Sequence, residues 1–140
     1  MTKPNAADLM LAARLCEHEC DMHASPDYAA AAARVFEKLF AQFAPLVGAT
    51  GFLAMFGRSI TLTKSDVPTV ANVLTDGPYD AAKSVSDWLR ALPPDEALAA
   101  AARLYGTLFT LMTTFIGGTL LRQMLTAAWP TIDINVEETP

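Results

Sequence analysis

The chain has 140 residues, 52% of them apolar and 18% charged, with a net charge of −5. A single core is expected at this size, burying roughly two-thirds of the surface an unfolded chain exposes, and the apolar excess excludes a disordered chain. No cluster of Lys or Arg interrupts the acidic balance, so the basic face that nucleic acid requires is missing and attraction to an anionic membrane surface is disfavoured.

Alanine is abundant and apolar residues recur at spacings of three and four, which predicts an all-α fold. The N-terminal stretch MTKPNAADLMLAARL lacks the charged, apolar and small-residue regions of a secretory signal, and a cytoplasmic location is expected. The first helix is placed from Asn5, an N-cap with Asp8 three residues on, to about Ala24. Ser25, Pro26 and Asp27 then restart a helix, with Ser25 as cap.

The second helix carries Tyr28, Ala32, Val35, Phe36, Leu39, Phe40 and Phe43 at helical spacing as a core stripe. Pro45, Gly48 and Gly51 mark a break, and a third helix begins near Phe52 and ends before Pro68. The turn signal Asp76-Gly77-Pro78 closes the longest connection. A fourth helix spans about Pro78 to Ala91, and Pro93-Pro94-Asp95-Glu96 opens the last.

That last helix is predicted to run from Asp95 to about Ala128, roughly 50 Å if straight. Gly117-Gly118 inside it implies a kink or a close contact. Its stretch Leu104–Leu121 has no charge and reaches the length of a membrane span. Its threonines and glycines and its symmetric arginines, Arg103 and Arg122, favour a buried central helix instead. The expected architecture is therefore about five helices around a long C-terminal helix, residues 1–130, followed by an extended acidic tail, 131–140. Beyond the alanine patches YAAAAAR and ALAAAAR, no repeat is read.

The tail TIDINVEETP alternates Ile132, Ile134 and Val136 with polar residues, the period of a strand. A lone strand is unstable in a helical monomer. It is expected to lie on its own domain, with strand addition to a partner as the alternative.

The chemistry candidates are few. Cys16, Cys20 and His23 fall at i, i+4 and i+7 on one helical face and could hold Zn²⁺ with a further ligand, or the thiols could sense redox state. The same face continues through Leu9, Ala12 and Ala13, and cysteine there serves equally as a small hydrophobe. A Cys16–Cys20 disulfide is disfavoured, because Cβ atoms at i, i+4 lie about 5–6 Å apart and a disulfide needs about 3.8 Å. Glu17 and Glu19 are read as neighbouring acids on a mostly solvated face. Thr107, Thr110, Thr114 and Gly117 form a small-residue seam, beside which Arg58, Thr110, Thr114 and Arg122 are the candidate ligand-binding residues. No catalytic motif is present, and no cofactor is expected.

The segment TFIGGTLLRQMLTAAWP, Thr114–Pro130, resembles the C-terminal helix of small all-helical bacterial proteins of uncharacterised function, in which T-[FL]-I-G is followed by leucines, an arginine and A-W-P. APLVGATGFLAMFGRSI resembles the same group more weakly. The resemblance implies an all-α bacterial domain and no particular activity. The leading expectation is a non-enzymatic helical interaction or regulatory protein that associates with itself, as a homodimer, or with another protein. The alternatives are an apolar-ligand sensor or carrier with a pocket between helices, and metal or redox sensing through Cys16, Cys20 and His23.

Overall fold

Asn5 opens α1 (Ala6–Asp21) as its composition predicts, its Oδ1 accepting the backbone N–H of Asp8 at 2.8 Å. The computed structural model describes residues 4–21, 27–132 and 134. Asp27 is the N-cap of α2 (Tyr28–Val47), accepting the N–H of Ala30 at 3.1 Å, while Ser25, expected in that role, lies outside the described residues. The break after α2 is shorter than composition suggests. Pro45 stays inside the helix, Gly48 alone makes the corner, and α3 (Ala49–Thr63) follows at once.

A connection containing the 3₁₀ segment Pro68–Asn72 leads to α4 (Pro78–Arg90). The expected long last helix is two helices, α5 (Pro94–Ile116) and α6 (Gly118–Ala128), separated by Gly117. The fold is all-α, with six α-helices rather than about five among the described residues. No strand occurs among those residues. Of the tail, Ile134 is buried in the core, and Asp133 and residues 135–140 lie outside the described residues.

The two glycine corners are the same device. Gly48 has φ 84°, ψ 151° and Gly117 has φ 86°, ψ 152°, a region that only glycine enters without strain. Each donates its N–H to the residue four before it, Ala44 or Thr113, and each carbonyl accepts the N–H four after it, from Phe52 or Leu121. One residue thus ends one helix and begins the next.

These corners expose an internal repeat at a constant spacing of 69 residues, 48 to 117. At that spacing Ala30–Arg34 matches Ala99–Arg103, Leu39-Phe40 matches Leu108-Phe109, and Thr50 and Met55 match Thr119 and Met124. In the first helices Ala12-Ala13 matches Ala81-Ala82. Burial follows the same register: Cys16 and Val85, Val35 and Leu104, Phe36 and Tyr105, Phe52 and Leu121, and Phe56 and Leu125 are all inside. The chain is two copies of one three-helix unit, α1–α3 and α4–α6. This corrects the expectation that the chain has no repeat.

Packing between the units is reciprocal, as it is across an isologous two-fold interface. α1 lies on α5 as α2 lies on α4, and α3 contacts α5 as α6 contacts α2. Each unit therefore buries much of its apolar surface on the other. Gly106 admits the backbone of α1 closely, since a Cβ there would stand 3.3 Å from Leu9 Cα. The core of the first unit is a group of phenylalanines, with Phe36 4.8 Å from Phe56 and 5.7 Å from Phe52 between ring centroids in edge-on contact. Each such ring contributes about 1.5–3 kcal/mol when buried.

Among the described residues α5 alone is long and apolar enough to cross a membrane by length and composition, and 56% of its apolar window is buried inside the fold. Its buried face runs from Ala97 to Met112. Phe115, within the stretch Leu104–Leu121 expected to be buried, is instead 71% exposed at the corner.

Candidate functional site

The corner between α1 and α2 holds the most concentrated chemistry. Glu19, read from sequence as solvated, is only 2% exposed, while Glu17 beside it is exposed. Glu19 accepts hydrogen bonds from Lys38 Nζ and, at 2.8 Å, from Trp129 Nε1. Arg34 Nε lies 3.5 Å from the other carboxylate oxygen, and its terminal nitrogen donates to the Glu19 carbonyl at 2.9 Å. Lys38 also stands over the Trp129 ring, 5.7 Å from its centroid, a cation–π arrangement.

Burial alone would raise the Glu19 pKa. The hydrogen bonds from Lys38 and Trp129, with the charges of Lys38 and Arg34, outweigh it and hold the carboxyl below its ordinary value. The residue is a neutralised anion that ties α1 to α2 and to the end of α6.

The two cysteines lie beside this knot. Both are buried and free, and Cys20 Sγ accepts the backbone N–H of Asp27 at 3.3 Å. Burial, then the charges of Glu17 and Glu19, pushes the Cys16 thiol up to about 12. It is a protonated thiol in an apolar setting, and the thiolate is the form that binds metal or attacks. His23, the third member of the expected metal face, lies outside the described residues. Among the described residues no group of three His, Cys, Asp or Glu side chains could hold a metal ion.

The residues expected to bind a ligand are divided between elements. Arg58 is exposed on α3. Thr110 donates to Asp8 Oδ2 at 2.7 Å, joining α5 to α1, and Thr114 bonds back to the Thr110 carbonyl at 3.3 Å. Arg122 lines a cleft of about 90 Å³ with Asp8, Thr113 and Leu121. Ligand pockets usually occupy about 300–1,000 Å³, so this cleft admits little more than water. Thr110 thus bonds Asp8 and Arg122 shares a cleft with it, while Arg58 does not line that cleft.

Larger clefts surround the α4–α5 corner, which the sequence reading passed over. One of about 340 Å³ lies between the connector at Asp66–Thr69 and Leu92, Glu96 and Arg103 of α5 and its approach. A second, of about 380 Å³, runs from Thr69 and Leu74 across Trp88 to Leu92. They share Thr69 and Leu92 and are open to solvent. The connector wall is fixed: Trp88 Nε1 donates to Thr69 Oγ1 at 2.9 Å, Leu74 N–H to Ser84 Oγ at 2.8 Å, and Arg103 meets Asp66 at 3.4 Å. The sequence signal at this groove is Pro93-Pro94, read as a helix boundary.

The two corners occupy equivalent places in the repeat. Glu19, Arg34, Lys38 and Trp129 in one correspond to Trp88, Arg103, Thr107 and Ile60 in the other. Where the first unit has this polar knot, the second has the buried side chains of Trp88 and Ile60. No family model, curated protein or solved structure matches the chain.

Proposed function

We propose that the chain is a non-enzymatic helical interaction protein that associates with a second copy of itself. The observation that carries this reading is the placement of large apolar side chains left outside the core. Met10 and Tyr79 are 59% and 77% exposed, and Leu46 and Phe115 are 50% and 71% exposed. Each pair occupies equivalent positions of the two units. A duplicated scaffold that keeps apolar side chains at the surface in both copies displays them as a repeated feature, which suits a symmetric partner.

The groups with reactive chemistry are engaged in holding the fold. Glu19 is neutralised, Cys16 is protonated, and Tyr105 donates its buried hydroxyl to the Ala32 carbonyl at 2.6 Å. The reading is tested by light scattering coupled to size exclusion across a hundredfold range of concentration. A dimer mass is expected, falling to monomer in a Leu46→Ser, Phe115→Ser or a Met10→Ser, Tyr79→Ser variant that keeps its helical content. A monomer at every concentration refutes the reading.

A further inference from the structure

We infer that the groove at the α4–α5 corner binds a segment of another protein that presents an apolar anchor beside Lys or Arg. This extends the reading of the chain as an interaction protein from self to a non-self partner, on a different surface. The floor is apolar: Leu92 is shared by three clefts that meet at the corner, and Leu74, 49% exposed, stands on the rim of one. The clefts, about 340 and 380 Å³, are neighbours that share Thr69 and Leu92, and both are open to solvent. That shape suits successive side chains of a peptide better than one enclosed small molecule.

The rim decides the charge. Asp66, Asp87 and Glu96 line the two clefts, against Arg103 alone. Arg103 is committed to Asp66 at 3.4 Å, and Glu96 has no ion-pair partner among the described residues. Asp87 meets Lys83 at 3.0 Å, but both side chains are more than half exposed, and such a pair exchanges readily for another cation. An apolar floor with an acidic rim complements an apolar and basic segment and repels an acidic one.

The wall is preformed, held by the Thr69, Ser84 and Asp66 contacts, and a preformed wall reduces the ordering cost of binding.

The experiment uses the full chain and fluorescence anisotropy of a labelled amphipathic peptide built only of leucine and lysine. A leucine and glutamate peptide of the same pattern is the control. The lysine peptide is expected to bind at least about tenfold more tightly than the glutamate one. Asp87→Lys with Glu96→Lys is expected to weaken it at least about tenfold, and Ala99→Trp, at an exposed floor position, is expected to do the same by filling the groove. Glu17→Lys with Glu37→Lys makes the same charge change at exposed positions outside these clefts and should leave affinity within about twofold.

Equal weakening by both charge-reversed pairs would show a general attraction of cations to an acidic protein and overturn the site, as would equal binding of the two peptides or no effect of Ala99→Trp. Light scattering separates this from self-association. If Asp87→Lys with Glu96→Lys converts a dimer to monomer, the occupant is a second copy and the partner assigned here is wrong. If the mass is unchanged and peptide binding is lost, the groove serves a different chain.

Discussion

Replacing Gly48 or Gly117 by alanine tests whether the corners depend on a backbone conformation closed to other residues. A Cβ at either position would meet no atom within 4 Å, so packing contributes nothing and the cost is conformational. Holding an L-residue at φ near 85° and ψ near 150° costs about 1–3 kcal/mol. Against this, alanine restricts the unfolded chain and returns about 0.4–1 kcal/mol. The net destabilisation expected for each variant is about 1–2 kcal/mol, read from the midpoint of urea unfolding at unchanged m-value. Because the two corners share one geometry, the two variants should agree within about 0.5 kcal/mol. Gly51→Ala is the control, since Gly51 lies inside α3 and its Cβ would make ordinary contact with Val47 at 3.7 Å. That substitution should stabilise, by up to about 1 kcal/mol. Gly48→Ala and Gly117→Ala variants as stable as the parent would refute the reasoning, because the helices would then be joined by some other backbone.

The Glu19 knot makes stability acid-sensitive. A carboxyl held below its ordinary value contributes stability that is complete above the unfolded value, 4.5, and is lost as pH falls through the folded one. Urea midpoints should therefore drop below about pH 4.5 in the parent, and the drop should be shallower in Glu19→Gln; parallel curves would remove Glu19 as the cause. Asp27, held low first by the Ala30 N–H and then by Arg90, titrates in the same direction and remains in that variant as a residual slope. The thiols give a separate test: with Cys16 at 0% exposure and its thiol protonated, Cys16 should react with an aromatic disulfide reagent only at the rate of unfolding. Rapid labelling of Cys16 in the native protein would show that its burial is wrong.

The all-α class was legible because it rests on local periodicity: the Phe36, Leu39 and Phe43 stripe reads as core and is core. The repeat was harder to see. YAAAAAR and ALAAAAR, and the segments containing Gly48 and Gly117, were visible as separate features, and only their common spacing unites them. Between them the core exchanges Phe for Tyr, Phe for Leu and Ile for Trp, which conserves burial and erases identity. Glu19 was misread for a different reason. Its neighbours at i−3 and i+1, Cys16 and Cys20, mark the inner face, and an acid there looks like the boundary of that face. What admits it is an indole 110 residues away, and no local pattern reports that. The Leu92 groove was invisible because its wall is the connector, whose contacts with α4 and α5 are tertiary.

Exchange between the corners tests whether the units are equivalent in fact as well as in pattern. Trp88→Glu places the first unit's acid in the second, where its neighbours by register are Arg103, Thr107 and Ile60 rather than Arg34, Lys38 and Trp129. Arg103 is already committed to Asp66, so the new carboxylate is buried without a cation and the indole volume is lost. A cost of about 4 kcal/mol or more is expected. Adding Thr107→Lys and Ile60→Trp rebuilds the knot on the second corner. If the units are true equivalents, the three substitutions together should be at least about 1 kcal/mol more stable than the sum of their separate effects, a coupling typical of groups in direct contact. Simple additivity would mean that these side chains do not meet there, and that the matching of α1–α3 with α4–α6 stops short of the corners. A favourable coupling would show that one three-helix frame accepts either an ionic corner or an apolar one, with the choice made by the residues at positions 19 and 88.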